Sequence, residues 1–285
     1  MNKIHSAQLI LLNIGHAIHY ADWNYKNVKS PFARIYLVKE GSARLHLPGD
    51  RKQDLKPNYL YMVPPFTLHS YECDSYFSLY YIHIYDNQKS SYFVLEDLMY
   101  PVEINSKPID KLLVERLFAI NPNCALNNYD PTKYDNTSYI INKINQQIHK
   151  QTHELLETRG IIYQLLSRFM AYSTDKYDIV DNRIFQVVKY IRKNINQDIS
   201  IADLLDICCL SKDHFIRLFK EDMNATPTQY INEKKMERAQ LMLLSSNKSI
   251  KDIAYELSFV NVYYFNRLFK KTTGLTPSEY RLNPD

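Results

Sequence analysis

The side chains best suited to chemistry are basic and amide groups that recur at equal spacing in two similar segments. Phe215–Lys220 (Phe-Ile-Arg-Leu-Phe-Lys) recurs fifty residues later as Phe265–Lys270 (Phe-Asn-Arg-Leu-Phe-Lys). On a helical wheel the phenylalanines and the leucine share one stripe, whereas the arginine and the lysine lie together on another arc. Arginine and asparagine can bond the major-groove edges of guanine and adenine, and lysine neutralises phosphates. The spacing therefore predicts two helices that bind duplex DNA.

The candidate DNA-binding residues are the polar arcs and the ends of these two helices. In the first helix they are Lys212, Asp213, Ile216, Arg217 and Lys220, and in the second Val262, Tyr263, Asn266, Arg267, Lys270 and Lys271. Asp213 has two interpretations, because it can accept a hydrogen bond from cytosine or complement the helix dipole from the first turn. A helical bundle with solvated arginines is the alternative for the whole pattern, and the second copy argues against it.

The segments around the two helices recur as well. Upstream, Ser200–Leu204 corresponds to Ser249–Ile253, and downstream Pro227 corresponds to Pro277. Each unit is therefore predicted to be a short helix, a tight turn and a second helix, which is helix-turn-helix geometry.

The predicted helix ends carry recognisable capping residues. Thr226–Gln229 and Thr276–Glu279 each place Thr at the N-cap, Pro at the first helical position and Gln or Glu at the third, which predicts two capping boxes. Gly274 suits the left-handed residue after a helix, and Ser211 and Asn261 are the predicted N-caps of the two DNA-binding helices.

Charge and composition favour a nucleic-acid partner and exclude other classes. Residues 1–181 carry 19 Lys and Arg against 19 Asp and Glu, whereas residues 182–285 carry 16 against 12, so the whole excess of +4 lies there. The 5 glycines form no nucleotide-binding loop, and the 4 cysteines include no C-x-x-C pair. No signal peptide and no apolar run of about 18 residues is present, so we expect a reduced, cytoplasmic protein without a membrane partner.

The first hundred residues are typical of β-structure. Ala33–Val38, Tyr59–Val63 and Phe77–Tyr85 are short segments rich in aromatic and β-branched residues, and turn residues separate them. They predict a sandwich or small barrel, with a last strand near Tyr100–Ile104.

Helices follow this β-region. One is predicted from Pro108 to about Ile120, more over Thr137–Ala171, and the polar stretch Ser173–Asp178 is a candidate linker. The predicted fold class is α+β. The predicted domains are residues 1–105 (β-barrel sensor), 106–172 (helical extension), 173–181 (linker) and 182–285 (two helix-turn-helix units).

The last hundred residues resemble the AraC family of bacterial transcription regulators. The resemblance is carried by Ile250–Ala254, Phe259, Tyr264, Phe265, Arg267, Phe269–Lys271, Gly274–Pro277, Tyr280 and Arg281. It implies two helix-turn-helix units joined by a long helix over about Thr228–Leu244, with both recognition helices in successive major grooves. Two positions depart from the family pattern: Ser258 replaces the usual glycine, and Lys235 replaces the usual arginine.

The family resemblance also suggests a role for the first half. Its β-segments resemble a cupin-like sensor of the jelly-roll type, and Val63–His69 is the best local match. Aromatic and polar strand residues would suit a sugar-like effector, and the alternative is that they form the core. The effector-binding candidates are Arg34, Tyr36, His69, Tyr71, Tyr81 and His83.

By the same resemblance, the chain is expected to be a homodimer that contacts RNA polymerase and activates transcription. The candidate dimer residues, Leu155, Ile162, Leu165 and Phe169, can equally pack on the barrel. An alternative regulator would bind no effector and use its first half only for oligomerisation or polymerase contact.

A metal-dependent cupin enzyme fused to a DNA-binding domain is the enzymatic alternative. His16 with His19, and His149 with His153, have helix-compatible spacing, yet no third ligand accompanies either pair. We therefore expect no catalytic residues, no metal and no cofactor.

Overall fold

The computed structural model describes residues 8–86, 94–135, 137–148, 150–175, 181–246 and 248–282. These residues form two compact units, one that ends at Asp175 and one within 181–282. The described part of the first unit contains antiparallel sheets and helices, and that of the second contains helices, so the α+β class is confirmed. His149 and residues 176–180 of the predicted linker lie outside the described residues.

The described residues of the N-terminal unit form three antiparallel sheets. Its strands are β1 (Leu9–Tyr20), β2 (Ala33–Gly41), β3 (Ala43–Leu47), β4 (Arg51–Leu55), β5 (Tyr59–Val63), β6 (Ser70–Glu72), β7 (Tyr76–Asp86), β8 (Leu98–Met99), β9 (Glu103–Asn105) and β10 (Thr174–Asp175). One sheet has the order β1-β7-β2-β5-β9, another β4-β3-β6, and β8 pairs with β10. Because Thr174 and Asp175 belong to this last pair, the N-terminal unit extends into the predicted linker.

The core of this unit lies between the five-stranded and the three-stranded sheet. Tyr36, Tyr61 and Tyr81 enter it from the first sheet, and Leu45 and Tyr71 enter it from the second. Alternate residues of each strand therefore face the interior, which is the period-two pattern on which the strand prediction relied.

Strand β1 was not predicted, although it is the longest strand described. Its first seven residues, Leu9–Gly15, are all buried, and the next, His16, is half-buried. Residues on both faces of this stretch are covered, so the sequence shows a continuous apolar run without alternation. A β-bulge between Leu11 and Asn13 interrupts its pairing with β7.

The helices of the N-terminal unit are short except for the last. They are α1 (Val94–Asp97), α2 (Pro108–Ala119), α3 (Pro131–Tyr134), α4 (Thr137–Ile148) and α5 (Thr152–Met170), with a 3₁₀ turn at Pro122–Cys124. The start of α2 at Pro108 matches the prediction, because Asp110 bonds the backbone N–H of Lys107 and caps the first turn.

The C-terminal unit consists of α6 (Asn182–Lys193), α7 (Ile201–Cys208), α8 (Lys212–Met223), α9 (Pro227–Ser245), α10 (Ile250–Glu256), α11 (Val262–Thr273) and α12 (Pro277–Leu282). Both predicted capping boxes form, at Thr226–Gln229 and at Thr276–Glu279. Asn261 caps α11 through its side chain, whereas Ser211 holds the N-cap position of α8 without a side-chain bond.

Helix α9 contributes to two separate hydrophobic cores. Tyr230 and Ile231, near its start, pack with α6, α7 and α8. Met236, Ala239 and Leu243, further along, pack with α10 and α11. The two helix-turn-helix units, α7–α8 and α10–α11, are therefore fixed to opposite halves of one helix.

Candidate nucleic-acid interface and candidate effector cavity

Helices α8 and α11 repeat the same pattern of burial. Phe215 and Phe219 of α8 are fully buried, as are Phe265 and Phe269 at the matching positions of α11. The buried rings contact the next helix in the same way, since Phe219 lies edge-on to Tyr230 at 5.7 Å and Phe269 lies edge-on to Tyr280 at 5.3 Å. Each pair of rings therefore fixes which face of its helix points outward.

The outward faces carry most of the predicted DNA-binding residues. Exposed side chains are Lys212, Asp213, Arg217 and Lys220 on α8, and Tyr263, Arg267, Lys270 and Lys271 on α11. Tyr263, in the first turn of α11, is 86% exposed. The guanidinium of Arg267 lies 5.8 Å from the centre of the Tyr264 ring, within reach of a cation–π interaction.

Three predicted residues are less available than the helical wheel suggested. Ile216 and Val262 are half-buried and pack against the two cores. Asn266 is half-buried, and its Oδ1 is shielded from solvent without a hydrogen-bond partner among the described residues. The Asn266 side chain must rotate before both of its amide groups can meet adenine.

The predicted effector residues are all buried in the N-terminal unit, but they do not line one site. Tyr36, Tyr81 and His83 border a cavity of about 20 Å³, together with Trp23 and Tyr129. A cavity of this size accommodates about one water molecule and is far too small for a sugar. Trp23 and Tyr129 were missed because they belong to no strand, although Trp23 is the only tryptophan of the chain.

His69 and Tyr71 are engaged in a chain of hydrogen bonds rather than lining that cavity. The His69 Nδ1–H donates to the carbonyl of Thr67 at 2.7 Å, so its Nε2 accepts from the Tyr71 hydroxyl at 2.7 Å. The Tyr36 hydroxyl then donates to that of Tyr71 at 2.6 Å. The bond in which Nε2 accepts from Tyr71 requires His69 to be neutral, because both ring nitrogens of a protonated histidine are donors.

Arg34 is engaged in a buried ion pair. Its guanidinium donates to both carboxylate oxygens of Asp135 at 3.1 Å and lies 4.7 Å from the centre of the Phe32 ring. Ser30 donates a further hydrogen bond to Asp135. This network ties β2 to the segment after α3, so Arg34 fixes the unit internally instead of being free for an effector.

Most of the predicted dimer residues lie inside their own unit. Ile162, Leu165 and Phe169 have no exposed surface, which corrects the expectation that they form the dimer contact. Leu155 is half-buried, and the exposed apolar side chain of α5 is Leu156, at 64% exposure. The spacing of apolar residues in the sequence identifies the apolar face of α5, but a barrel and a partner subunit would cover that face equally well.

The described residues contain no group of three His, Cys, Asp or Glu side chains placed to hold a metal ion. His16 bonds the Ser78 hydroxyl and His19 bonds Asp22. Among the helices of the described chain, none combines the length and apolarity that crossing a membrane requires.

Comparison with known proteins identifies the family of the C-terminal unit. A family model described as a helix-turn-helix domain matches residues 204–283, which run from α7 to the end of α12. The xylose operon regulatory protein of Haemophilus influenzae is 32% identical over 146 residues, or 50% of this chain and 38% of its own length. These two matches, together with the family-pattern residues of α10, α11 and α12, identify the family. The C-terminal unit is an AraC-family DNA-binding domain.

Two further similarities involve more of the chain. The lactose operon transcription activator of Staphylococcus xylosus is 25% identical over 156 residues, which are 53% of this chain and 56% of its own length. The crystal structure of unsaturated fatty acid bound ToxT from Vibrio cholerae covers 99% of this chain and 97% of its own, at 17% identity and a TM-score of 0.48. The matches to these two operon regulators span less than two thirds of each one's length.

The two departures from the AraC-family pattern lie at the same junction of the domain. Ser258, in the turn between α10 and α11, has a left-handed backbone (φ of 60°), and its hydroxyl donates to the carbonyl of Asn196 at 2.6 Å. Lys235 on α9 is buried, donates to the carbonyl of Gln197 at 3.1 Å and lies 5.3 Å from the Phe259 ring. Both residues thereby join the loop before α7 to the second helix-turn-helix unit.

From this junction we predict that Lys235 affects DNA binding by holding the second helix-turn-helix unit in place relative to the loop before α7. Lys235→Met keeps the length of the side chain and removes a buried charge whose pKa burial lowers, so we expect the free energy of unfolding to change by less than about 1 kcal/mol. The lost bond to Gln197 is expected to weaken binding to a two-groove DNA site roughly ten-fold. Fluorescence anisotropy with labelled duplex and urea unfolding measure the two quantities.

The control for this variant is Lys189→Met, which removes the same charge from an exposed position of α6. Equal losses of affinity in the two variants would show that Lys235 acts through net charge alone and would contradict the positioning role.

The neutral state of His69 predicts acid sensitivity of the N-terminal unit. Burial, with a smaller contribution from Arg34, lowers the pKa of His69 to about 3 from its usual 6.5. Between these values the unfolded chain binds a proton that the folded chain does not, so stability is complete above pH 6.5 and falls as the pH decreases. His69 is expected to contribute about 1.4 kcal/mol per pH unit to the slope, in addition to His83, whose pKa burial also lowers.

His69→Gln is expected to reduce this slope by about 1.4 kcal/mol per pH unit. Urea unfolding at pH 5, 6 and 7, followed by the fluorescence of Trp23, reports on this unit because Trp23 stacks on Tyr71 in its core. His153→Gln, at an exposed position, is the matched control. An unchanged slope in His69→Gln would show that His69 has the same pKa in the folded and in the unfolded chain, which would contradict its buried neutral state.

Proposed function

We propose that this chain is a sequence-specific transcription regulator that acts in the cytoplasm and binds promoter DNA through α8 and α11. The repeated burial pattern of these helices carries the proposal. In each helix two phenylalanines are buried, so an arginine and a lysine at matching positions face outward. Arg217 and Arg267 would read base edges, whereas Lys212, Lys220, Lys270 and Lys271 would contact phosphates. Asp213, at the exposed start of α8, either reads cytosine or complements the helix dipole.

The same proposal includes activation of transcription by a homodimer in contact with RNA polymerase. The name of the related lactose operon transcription activator supports activation. With Ile162, Leu165 and Phe169 buried, the half-buried Leu155 and the exposed Leu156 at the start of α5 are the candidates on this helix for a dimer contact.

The DNA-binding proposal is tested with a duplex selected by the full chain from a random library and with its scrambled counterpart. Arg217→Ala and Arg267→Ala are each expected to cost about 1–3 kcal/mol at the selected duplex and to relax preference at one base pair. Arg51→Ala removes the same charge from the exposed strand β4 and should change neither affinity. If both arginine variants bound the two duplexes as the parent does, the groove assignment would be wrong.

For the N-terminal unit we propose that a small polar effector, a sugar or a similar molecule, regulates DNA binding. The relatives named as xylose and lactose operon regulators support a sugar. A second proposal, that this unit binds no effector and serves oligomerisation or polymerase contact, is favoured by the size of the cavity, about 20 Å³. Binding of a sugar there requires the lining residues to move apart.

A thermal-shift screen of mono- and disaccharides, followed by Trp23 fluorescence, distinguishes these two proposals. An effector present at 100 times its Kd is expected to add about 2.7 kcal/mol to the stability of the N-terminal unit. The effector proposal is supported if one sugar raises the unfolding temperature of this unit and its epimers do not. An unchanged temperature with every sugar supports the ligand-independent regulator.

A further inference from the structure

A second and much larger cavity lies elsewhere in the N-terminal unit, between β1 and the helices α4 and α5. Its volume is about 310 Å³, within the range of pockets that hold small organic ligands. Leu9 and Leu11 of β1, Ile144 of α4 and Leu155 of α5 provide apolar walls. This cavity shares no lining residue with the smaller one bordered by Tyr36, Tyr81 and His83.

Two polar side chains that line the larger cavity, Gln147 and Arg159, each have one buried atom without a partner among the described residues, although Gln147 Nε2 donates to Cys124 Sγ at 3.7 Å. Gln147 of α4 is 5% exposed, and its Oε1 has no hydrogen-bond partner among the described residues. The Nε of Arg159 on α5 is likewise buried, and no acceptor for it occurs in the described part of the chain. Thr158, between them in the lining, differs because it already bonds the side chain of Asn121.

These two atoms specify what an occupant must offer. A buried hydrogen-bonding atom without a partner costs about 1–3 kcal/mol, so a ligand that pairs with it gains that free energy. Gln147 Oε1 requires an N–H or O–H donor, and the Arg159 guanidinium requires an acceptor, best an anionic one. The four aliphatic side chains require an apolar body.

We propose that this cavity is a binding site for an amphipathic organic acid, a small molecule with an apolar body, one anionic group for Arg159 and one N–H or O–H group for Gln147. The site is separate from the effector cavity proposed above. It lies against the part of β1 that precedes the β-bulge at Leu11–Asn13, and bulges are enriched beside functional sites.

The probe for this site is 8-anilinonaphthalene-1-sulfonate, which combines an aromatic body, a sulfonate and an N–H group. The full chain is expected to bind one molecule per chain with a rise in probe fluorescence. N-phenyl-1-naphthylamine, the same molecule without the sulfonate, is the neutral reference. Arg159→Gln should weaken binding of the sulfonate about ten-fold or more and leave binding of the neutral reference unchanged.

Two further variants make the test decisive. Ile144→Trp fills the cavity and should abolish binding of both probes, whereas Arg51→Gln, with the same charge change on β4, should alter neither. The unfolding temperature followed by far-ultraviolet circular dichroism shows that each variant is folded. If Arg159→Gln fails to fold, Gln147→Leu replaces it and should weaken both probes, because both carry the N–H group.

Three results would overturn the proposal. One is absence of stoichiometric binding to the parent chain, which would mean that the cavity holds only water. Another is an equal loss of both probes in Arg159→Gln, which would mean that this arginine only shapes the cavity. The third is unchanged binding of both probes in Ile144→Trp, which would place them elsewhere.

Discussion

Helix α9 is shared by both hydrophobic cores of the C-terminal unit, and the geometry of the DNA interface depends on this sharing. Tyr230 near its start closes the core under α8, and Leu243 near its end closes the core under α10 and α11. A rotation of either recognition helix would therefore expose phenylalanines that α9 now covers. Full burial of a phenylalanine is worth roughly 2–3 kcal/mol, so the orientation of the basic faces follows from core packing.

Two polar contacts add to what α9 fixes. The Ser258 hydroxyl and the Lys235 ammonium both bond carbonyls of the loop before α7, at Asn196 and Gln197. Neither residue is the one usual in the AraC family at its position. In this chain a left-handed serine gains a hydrogen bond that glycine could not make, which offsets the cost of its conformation. The side chains of Ser258 and Lys235 thus join the loop before α7 to the second helix-turn-helix unit.

Features that depend on a few neighbouring residues were predicted correctly from the sequence, whereas features that depend on the tertiary structure were not. The capping boxes at Thr226–Gln229 and Thr276–Glu279 depend on four consecutive residues, and they form as predicted. Strand β1 was missed because both of its faces are covered by other parts of the fold. For Ile162 and Phe169 the sequence left a partner and the barrel open as alternatives, and their own unit buries them. Which surface covers an apolar face is a property of the tertiary structure and leaves no local signal.

The central claim is that α8 and α11 act together on successive major grooves. Its most direct test is the affinity of the full chain for a selected duplex into which about five base pairs are inserted between the two contacted segments. Half a turn of DNA moves the second segment to the opposite face of the duplex. Because α9 holds the two helices rigidly, affinity is expected to fall to that of the scrambled duplex. Retained affinity would contradict the claim, because it would mean that one helix-turn-helix unit binds alone.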